Sequence, residues 1–151
     1  MKIQTTRLTL LPCTESMIST YGYTAGPHIH MHLKELSEDP SLLGWGPWLI
    51  LNNEDGKVIG DLGFKGKPNN AREVEIGYGI TPSAQNKGFA TEAVREMILW
   101  VLKSDEVEKV TAECLVDNLP SIRVLEKVKM TNIGQNDGML KWEISKEEGI
   151  A

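Results

Sequence analysis

The chain has 151 residues, of which 40% are hydrophobic and 25% charged, with a formal net charge of -5. That length and balance fit one folded domain with a core of its own and exclude wholesale disorder. The negative balance argues against binding along a nucleic-acid backbone, which needs a surplus of Lys and Arg on one face, and favours cationic small molecules or basic peptides as partners.

Two cysteines occur, Cys13 and Cys114, far apart and in no ligand-like spacing. They read neither as a disulfide framework nor as a zinc site, and a reducing cytoplasm is the expected compartment. The opening "MKIQTTRLTLLP" lacks the roughly 7–15-residue apolar core of a signal peptide. The longest apolar run, "MILWVL", is far short of the roughly 20 residues of a membrane helix. The expectation is a soluble, unprocessed chain with no membrane partner.

Arg7 to Pro12, "RLTLLP", reads as a first strand. Thr14 then offers an N-cap and Glu15 a negative charge in the first turn, although Met17 stands where a capping box needs Glu or Gln. Gly22 and "AGP" at 25–27 interrupt this helical stretch, and a second one, "HIHMHLKELSED", ends before Pro40. His28 and His32 stand one helical turn apart there, a spacing that can hold a metal. With no third ligand in view they read as a helix surface or the wall of an acceptor site, and no metal is expected.

From Trp48 onward, "WLILNN" and "KVIGDLGF" are apolar-rich runs joined by Asp-Gly chemistry, a hairpin signal. After "KGKPNNA", the run "REVEIGYGI" alternates Val74, Ile76, Tyr78 and Ile80 with Glu73, Glu75, Gly77 and Gly79. Period two makes this a strand with one apolar face and one nearly bare of side chains. Beyond Pro82 the period turns helical, through Phe89, Ala93, Met97 and Trp100 up to about Lys103. The strand "KVTAECLV" follows, then a helix with Asn118 as N-cap, Pro120 in its first turn, and Leu119, Ile122, Leu125 and Val128 as its inward stripe. "MTNIG", a turn at "QNDG" and "MLKWEI" form a last hairpin, before a charged tail from about Ser145. With no repeat or linker in sight, the pattern predicts a single α/β domain over 1–151, helices packed on a mixed sheet.

Between the bare strand and its helix lies "QNKGFATEAV", Gln85 to Val94. A loop entering a helix presents unpaired N–H groups with the positive end of the dipole behind them, which suits an anion. Gly88 and Ala90 permit close approach and Lys87 adds charge, yet any helix must start somewhere. No P-loop string exists in the chain. "GYGITP" at 77–82 has Pro82 in place of the third glycine of a dinucleotide fingerprint, and its glycines lie in the strand rather than the turn.

Gln85, Asn86, Lys87, Gly88, Phe89 and Ala90 follow the pattern Q/R-x-x-G-x-G/A, placed after a strand and before an amphipathic helix. Asn118, Ser121, Leu125, Glu126 and Lys127 follow N-x-x-S-x-x-x-L-E-K, and "TTRLTLLP" is similar to an E-R-L-x-L-R start. Together these strings resemble the GNAT acetyltransferase superfamily, in particular its ribosomal-protein N-terminal acetyltransferase branch. The resemblance implies an α+β fold with a mixed, mostly antiparallel sheet, helices on both faces, and a splay between the fourth and fifth strands. It further implies acetyl-CoA as co-substrate. Backbone N–H groups of Asn86 to Thr91, including Lys87, Gly88, Phe89 and Ala90, would hold the pyrophosphate beside Gln85. Tyr78, Gly79 and Ile80 would pair with the pantetheine arm, accounting for the bare strand face, and Asn118 would hydrogen-bond the arm near the thioester. "KVKM" departs from the family's K-x-G-F helix ending, with Lys129 and Met130 in place of Gly-Phe.

Acetyl transfer requires a neutral amine, a polarised thioester carbonyl and a proton for the departing thiolate. An alkylamine with a pKa of about 10.4 is neutral about once in a thousand at about pH 7.4, so a base or a water chain is needed. Glu113 in the fifth strand is the favoured base by family position, with Glu75 on the fourth as competitor; either also reads as an exposed strand carboxylate. Leu125 occupies the position of the tyrosine used by many family members, and the resemblance to the ribosomal-protein branch implies Ser121, three residues after Asn118, as the acid that meets the sulfur. Alternatively it helps cap its helix. The expected acceptor is an amine, on a small molecule or at a peptide or protein N-terminus, and the enzyme a monomer or homodimer. A non-catalytic acyl-CoA sensor of the same fold and a nucleotide- or phosphate-binding module are the alternatives.

Overall fold

In the computed structural model the described residues are 1–150, with 149 and 150 given by backbone alone. The strands are β1 Ile3–Gln4, β2 Leu8–Pro12, β3 Pro47–Asn52, β4 Val58–Phe64, β5 Glu73–Ile80, β6 Lys109–Leu115, β7 Thr131–Asn136 and β8 Met139–Ser145. The helices are α1 Glu15–Tyr21, α2 Pro27–Glu38, α3 Phe89–Leu102, α4 Leu119–Lys127 and α5 Lys146–Ile150. All strands join one sheet in the order β1-β2-β3-β4-β5-β6-β8-β7. Every neighbouring pair is antiparallel except β5 with β6. No helix among the described residues is long and apolar enough to cross a membrane.

Alternation within the strands builds a core on each face of the sheet. Leu8, Leu10, Trp48, Ile50, Leu62 and Ile76 pack with Ala93, Met97, Val101 and Leu125 of α3 and α4 in the larger core. Leu49, Leu51 and Cys13 face the other way, toward Ile29 of α2, with Met17 and Ile18 of α1 packed beside them. Each such fully buried aliphatic side chain contributes about 1.5–3 kcal/mol. Glycines in β4 mark where this packing becomes tightest. A Cβ on Gly60 would collide with the Gly79 carbonyl, and one on Gly63 with the Gly46 carbonyl.

The fourth and fifth strands of the sequence reading are β5 and β6, because the short β1 adds one strand. Two residues are too few for periodicity to reveal, but Ile3 is buried and pairs opposite Leu10. The parallel pairing of β5 with β6 covers only Glu73↔Lys109, Val74↔Val110 and Glu75↔Thr111. Beyond it β5 remains paired with β4 out to Ile80, while β6 remains paired with β8 out to Leu115. The two strands therefore part, as the expected splay required.

The C-terminal segment departs from the expected charged tail. Residues 146–150 form α5, and the Ser145 N–H and hydroxyl both donate to Glu148, at 3.1 and 2.8 Å. That is the reciprocal half of a capping box, a signal present in the string S-K-E-E. The turn expected over "QNDG" narrows to Asp137 and Gly138, both at positive φ, and Gln135 and Asn136 belong to β7.

The "KVKM" departure is absorbed locally. Lys129 adopts the left-handed conformation, φ 71°, that glycine would take. Its N–H donates to the Glu126 carbonyl at 3.0 Å and that of Met130 to the Leu125 carbonyl at 3.1 Å, completing a Schellman motif with Met130 and Leu125 both buried. Left-handed backbone is costly for a residue with a Cβ. Lys129→Gly should therefore raise the unfolding free energy by about 1 kcal/mol, read as a higher urea midpoint at unchanged slope.

Candidate active site

The site expected to hold the donor lies where β5 runs into α3. Pro82–Ala84 forms a 3-10 turn, and the Gln85 side chain donates back to the Ile80 carbonyl at 3.0 Å, closing the loop on the strand it left. Asn86 and Gly88 both take positive φ, 62° and 80°, so the chain rises into α3 through alternating left-handed residues, a shape that turns successive N–H groups inward. The first helical bond runs from the Glu92 N–H to the Gly88 carbonyl, leaving Phe89, Ala90 and Thr91 with no intrahelical acceptor.

A cavity of about 560 Å³ lies before these groups. Tyr78, Gly79 and Ile80 line it from β5, Gln85, Asn86 and Gly88 from the loop, Phe89, Ala90 and Thr91 from α3, and Asn118 and Ser121 from α4. Lys87, expected to add charge, is not among its lining residues. Its carbonyl instead accepts from Arg7 Nη1 at 2.9 Å. The cations on the cavity are Arg123 and Lys127 of α4, which the sequence reading missed. Their signal was a spacing of one helical turn beside the inward stripe.

Arg7 holds the loop from below. Its Nε meets Glu92 Oε1 at 2.7 Å, its backbone N–H donates to Glu92 Oε2 at 2.8 Å, and its guanidinium lies 4.3 Å over the Phe89 ring. Thr5 donates to the same carboxylate at 2.5 Å. Burial pushes the Glu92 carboxyl up, but these hydrogen bonds and the Arg7 charge outweigh it and hold the group below its ordinary value. The segment that resembled the family's opening thus supports the loop before α3.

A second cavity, of about 270 Å³, occupies the splay. Gly77 and Tyr78 line it from β5, Glu113 and Cys114 from β6, and Asn118, Ser121 and Leu125 from α4. Asn118 Oδ1 accepts from the Ser121 N–H at 3.3 Å, so the cap is the asparagine and the Ser121 hydroxyl is left over. Among the described residues the buried Tyr78 hydroxyl has no partner in good geometry. Burial raises its pKa, with the nearby Ser121 hydroxyl opposing.

Of the two carboxylates, Glu113 lines the splay cavity and Glu75 does not. Glu113 is ion-paired with Lys141 on β8, and that hydrogen bond holds its carboxyl below the ordinary value, which weakens it as a base. Glu75 is paired with Lys65 at 2.6 Å and lines a separate cleft with Thr111.

On the opposite face, α2 roofs a cavity of about 530 Å³ whose floor includes Gly63, Gly77 and Gly79. The bare face of β5 looks into this space. Asp61 of β4 accepts from the Tyr23 hydroxyl at 2.7 Å and meets His28 Nε2 at 2.9 Å. The Cys13 thiol is pushed up to about 12 by burial and then by the Asp61 charge. His32 also lines the cavity and is 7% exposed, with Nε2 lacking a partner among the described residues. No group of three metal-ligating side chains stands together among the described residues.

The family profile described as "Acetyltransferase (GNAT) domain" matches residues 13–131. The chain belongs to the GNAT acetyltransferase family. The curated protein described as "Uncharacterized N-acetyltransferase YjdG", from Bacillus subtilis (strain 168), is 35% identical over 85 residues, 56% of this chain and 51% of that protein. The chain thus spans about half the length of the curated relatives it matches. Among solved structures, the ribosomal alpha-N-protein acetyltransferase RimL in complex with coenzyme A matches at TM-score 0.77 and 16% identity, over 96% of this chain and 98% of that one. A spermidine N-acetyltransferase chimera from Vibrio cholerae and hSSAT matches at TM-score 0.74 and 14% identity, over 96% and 99%. At these identities the structures establish the GNAT fold.

Arg7→Ala should weaken coenzyme A binding about tenfold by releasing the loop, measured by calorimetric titration. A second expectation concerns His32, whose pKa burial lowers below 6.5, with Glu35 partly opposing. Above about pH 6.5 the imidazole is neutral in both folded and unfolded chains, and as pH falls through that value the unfolded chain protonates first, so stability is lost on acidification. The melting temperature of the wild type should drop more than that of His32→Gln between about pH 7.5 and 5.5.

Proposed function

We propose that the chain is an acetyl-CoA-dependent N-acetyltransferase that passes the acetyl group directly to a primary amine in a ternary complex. The observation that carries this reading is the position of Tyr78, which lines the donor cavity, the splay cavity and the cavity under α2. Three spaces on two faces of the sheet meet at one residue of the parted strand. A molecule long enough to reach from the anion loop to the splay, with a reactive end, fits this path.

The residues present suit coenzyme A. Unpaired N–H groups at the start of α3, with Arg123 and Lys127 alongside, would hold its pyrophosphate. Asn118, whose Oδ1 is engaged as a cap, keeps its amide N–H groups for the pantetheine arm. Bound acetyl-CoA supplies an acetyl thioester. A β5 N–H near Tyr78 would polarise the carbonyl, and the Ser121 hydroxyl would return a proton to the sulfur. Two buried free cysteines fit the reducing cytoplasm as the working compartment.

A non-catalytic acyl-CoA sensor is the second reading, favoured by the ion pairs that engage both Glu75 and Glu113. A thiol-release screen of acetyl-CoA against polyamines, aminoglycosides, amino acids and N-terminal peptides separates the two. Transfer to any of them is the expected result, and silence together with tight coenzyme A binding would favour the sensor. Ser121→Ala should lower kcat about 100-fold or more while leaving coenzyme A affinity unchanged.

A further inference from the structure

Building on the transferase reading, we infer that the cavity under α2 is an acceptor site for a primary monoamine with a flat apolar body, whose ammonium group is held by Asp61. The register of the sheet supports this first. Asp61 pairs with Gly79 and Gly63 with Gly77, so on this face the Asp61 side chain stands among glycines. Partner residues in an antiparallel pair lie about 4.5–5.5 Å apart, which puts this carboxylate beside the strand where β5 leaves β6.

The charges around it favour one ammonium group. Lys65 at the cavity edge is taken up by Glu75, and burial keeps His32 toward its neutral form. Glu35 is exposed at the rim, where water screens it. Asp61 is the carboxylate inside, its side chain 15% exposed. Tyr23 and His28 each engage one of its oxygens, and a carboxylate offers about four acceptor sites, so capacity remains for an ammonium.

The walls define the rest of the ligand. Met31, Leu42 and Trp45 line the cavity, and Trp45 is braced from behind by Phe64 of the larger core, the rings 6.3 Å apart and tilted by 55°. Such a surface gains most from an aromatic or broad aliphatic body and offers no second buried anion to a polyamine.

Asp61 also gives the ammonium proton somewhere to go. The amine must lose one proton before its nitrogen attacks and a second as the N–C bond forms and the C–S bond breaks. The first passes to the Asp61 carboxylate and from there to water at the mouth of the cavity, while His28 stays hydrogen-bonded to Oδ1. The second goes to the departing thiolate, which leaves as the thiol.

The test is to titrate the full chain, with coenzyme A bound, with 2-phenylethylamine, 2-phenylethanol, spermidine and a short peptide bearing a free α-amine, and to assay thiol release from acetyl-CoA with each amine. 2-Phenylethylamine should bind at least about tenfold tighter than the alcohol, and its kcat/KM should exceed those of spermidine and the peptide at least about tenfold. Asp61→Asn should cost at least about tenfold in 2-phenylethylamine affinity while coenzyme A affinity is unchanged. Preference for spermidine or the peptide, or equal binding of amine and alcohol, overturns the inference and leaves the transferase reading intact. If Asp61→Asn fails to fold, the amine and alcohol comparison on the wild type decides. No thiol release with any amine, alongside tight amine-selective binding, would sink the transferase reading and keep the amine site.

Discussion

The early end of the β5–β6 pairing is the constraint on which the site depends. A parallel pair usually continues as long as both strands do, yet here it ends at Glu75 and Thr111 because each strand follows its antiparallel partner. The opening leaves backbone groups of β5 beyond Glu75 without a sheet partner on the β6 side. In a packed protein such groups call for another partner. The buried Leu125 lines the cavity that occupies this gap. The tyrosine used by many family members is therefore replaced here by a packing residue.

Charge is distributed with the same economy. Of the carboxylates near the splay, Glu113 and Glu75 are tied to lysines, whereas Asp61 is engaged only by a phenol and an imidazole. On the donor side the cations come from α4 rather than from the loop, and Arg7 positions the loop from the far end of the chain. The loop before α3 is thus framed by the segment ahead of β2, by α3 and by α4. The loop sequence supplies its shape and the neighbouring elements its rigidity and charge.

Much of this was legible in the residues themselves. Alternation in "REVEIGYGI" and the helical period after Phe89 located β5 and α3, since both are local patterns in which one face is buried. Asn118 as a cap was readable because capping is decided within one turn. What escaped was set by contacts between distant residues. Arg7 lies 85 positions from Glu92, and nothing in either neighbourhood announces the pairing. Glycines 77 and 79 were visible as a bare strand face, but that this face looks toward α2 and is shared by Asp61 follows only from the sheet register. α5 was missed for another reason: its capping box was overlooked in what read as a charged tail.

The two sides of the cavity under α2 differ in how much change they tolerate. On its floor Gly63 admits no side chain, because a Cβ there would meet the Gly46 carbonyl, whereas Gly77 and Gly79 have open room before them. Its roof is one twelve-residue helix with His28, Met31, His32 and Glu35 turned toward the space. For the proposed acceptor site, change is therefore freest along α2 and at Gly77 and Gly79, while Gly63 is held fixed by the strand beside it. Swapping that helix between relatives would be the economical way to re-aim the protein without disturbing its donor machinery.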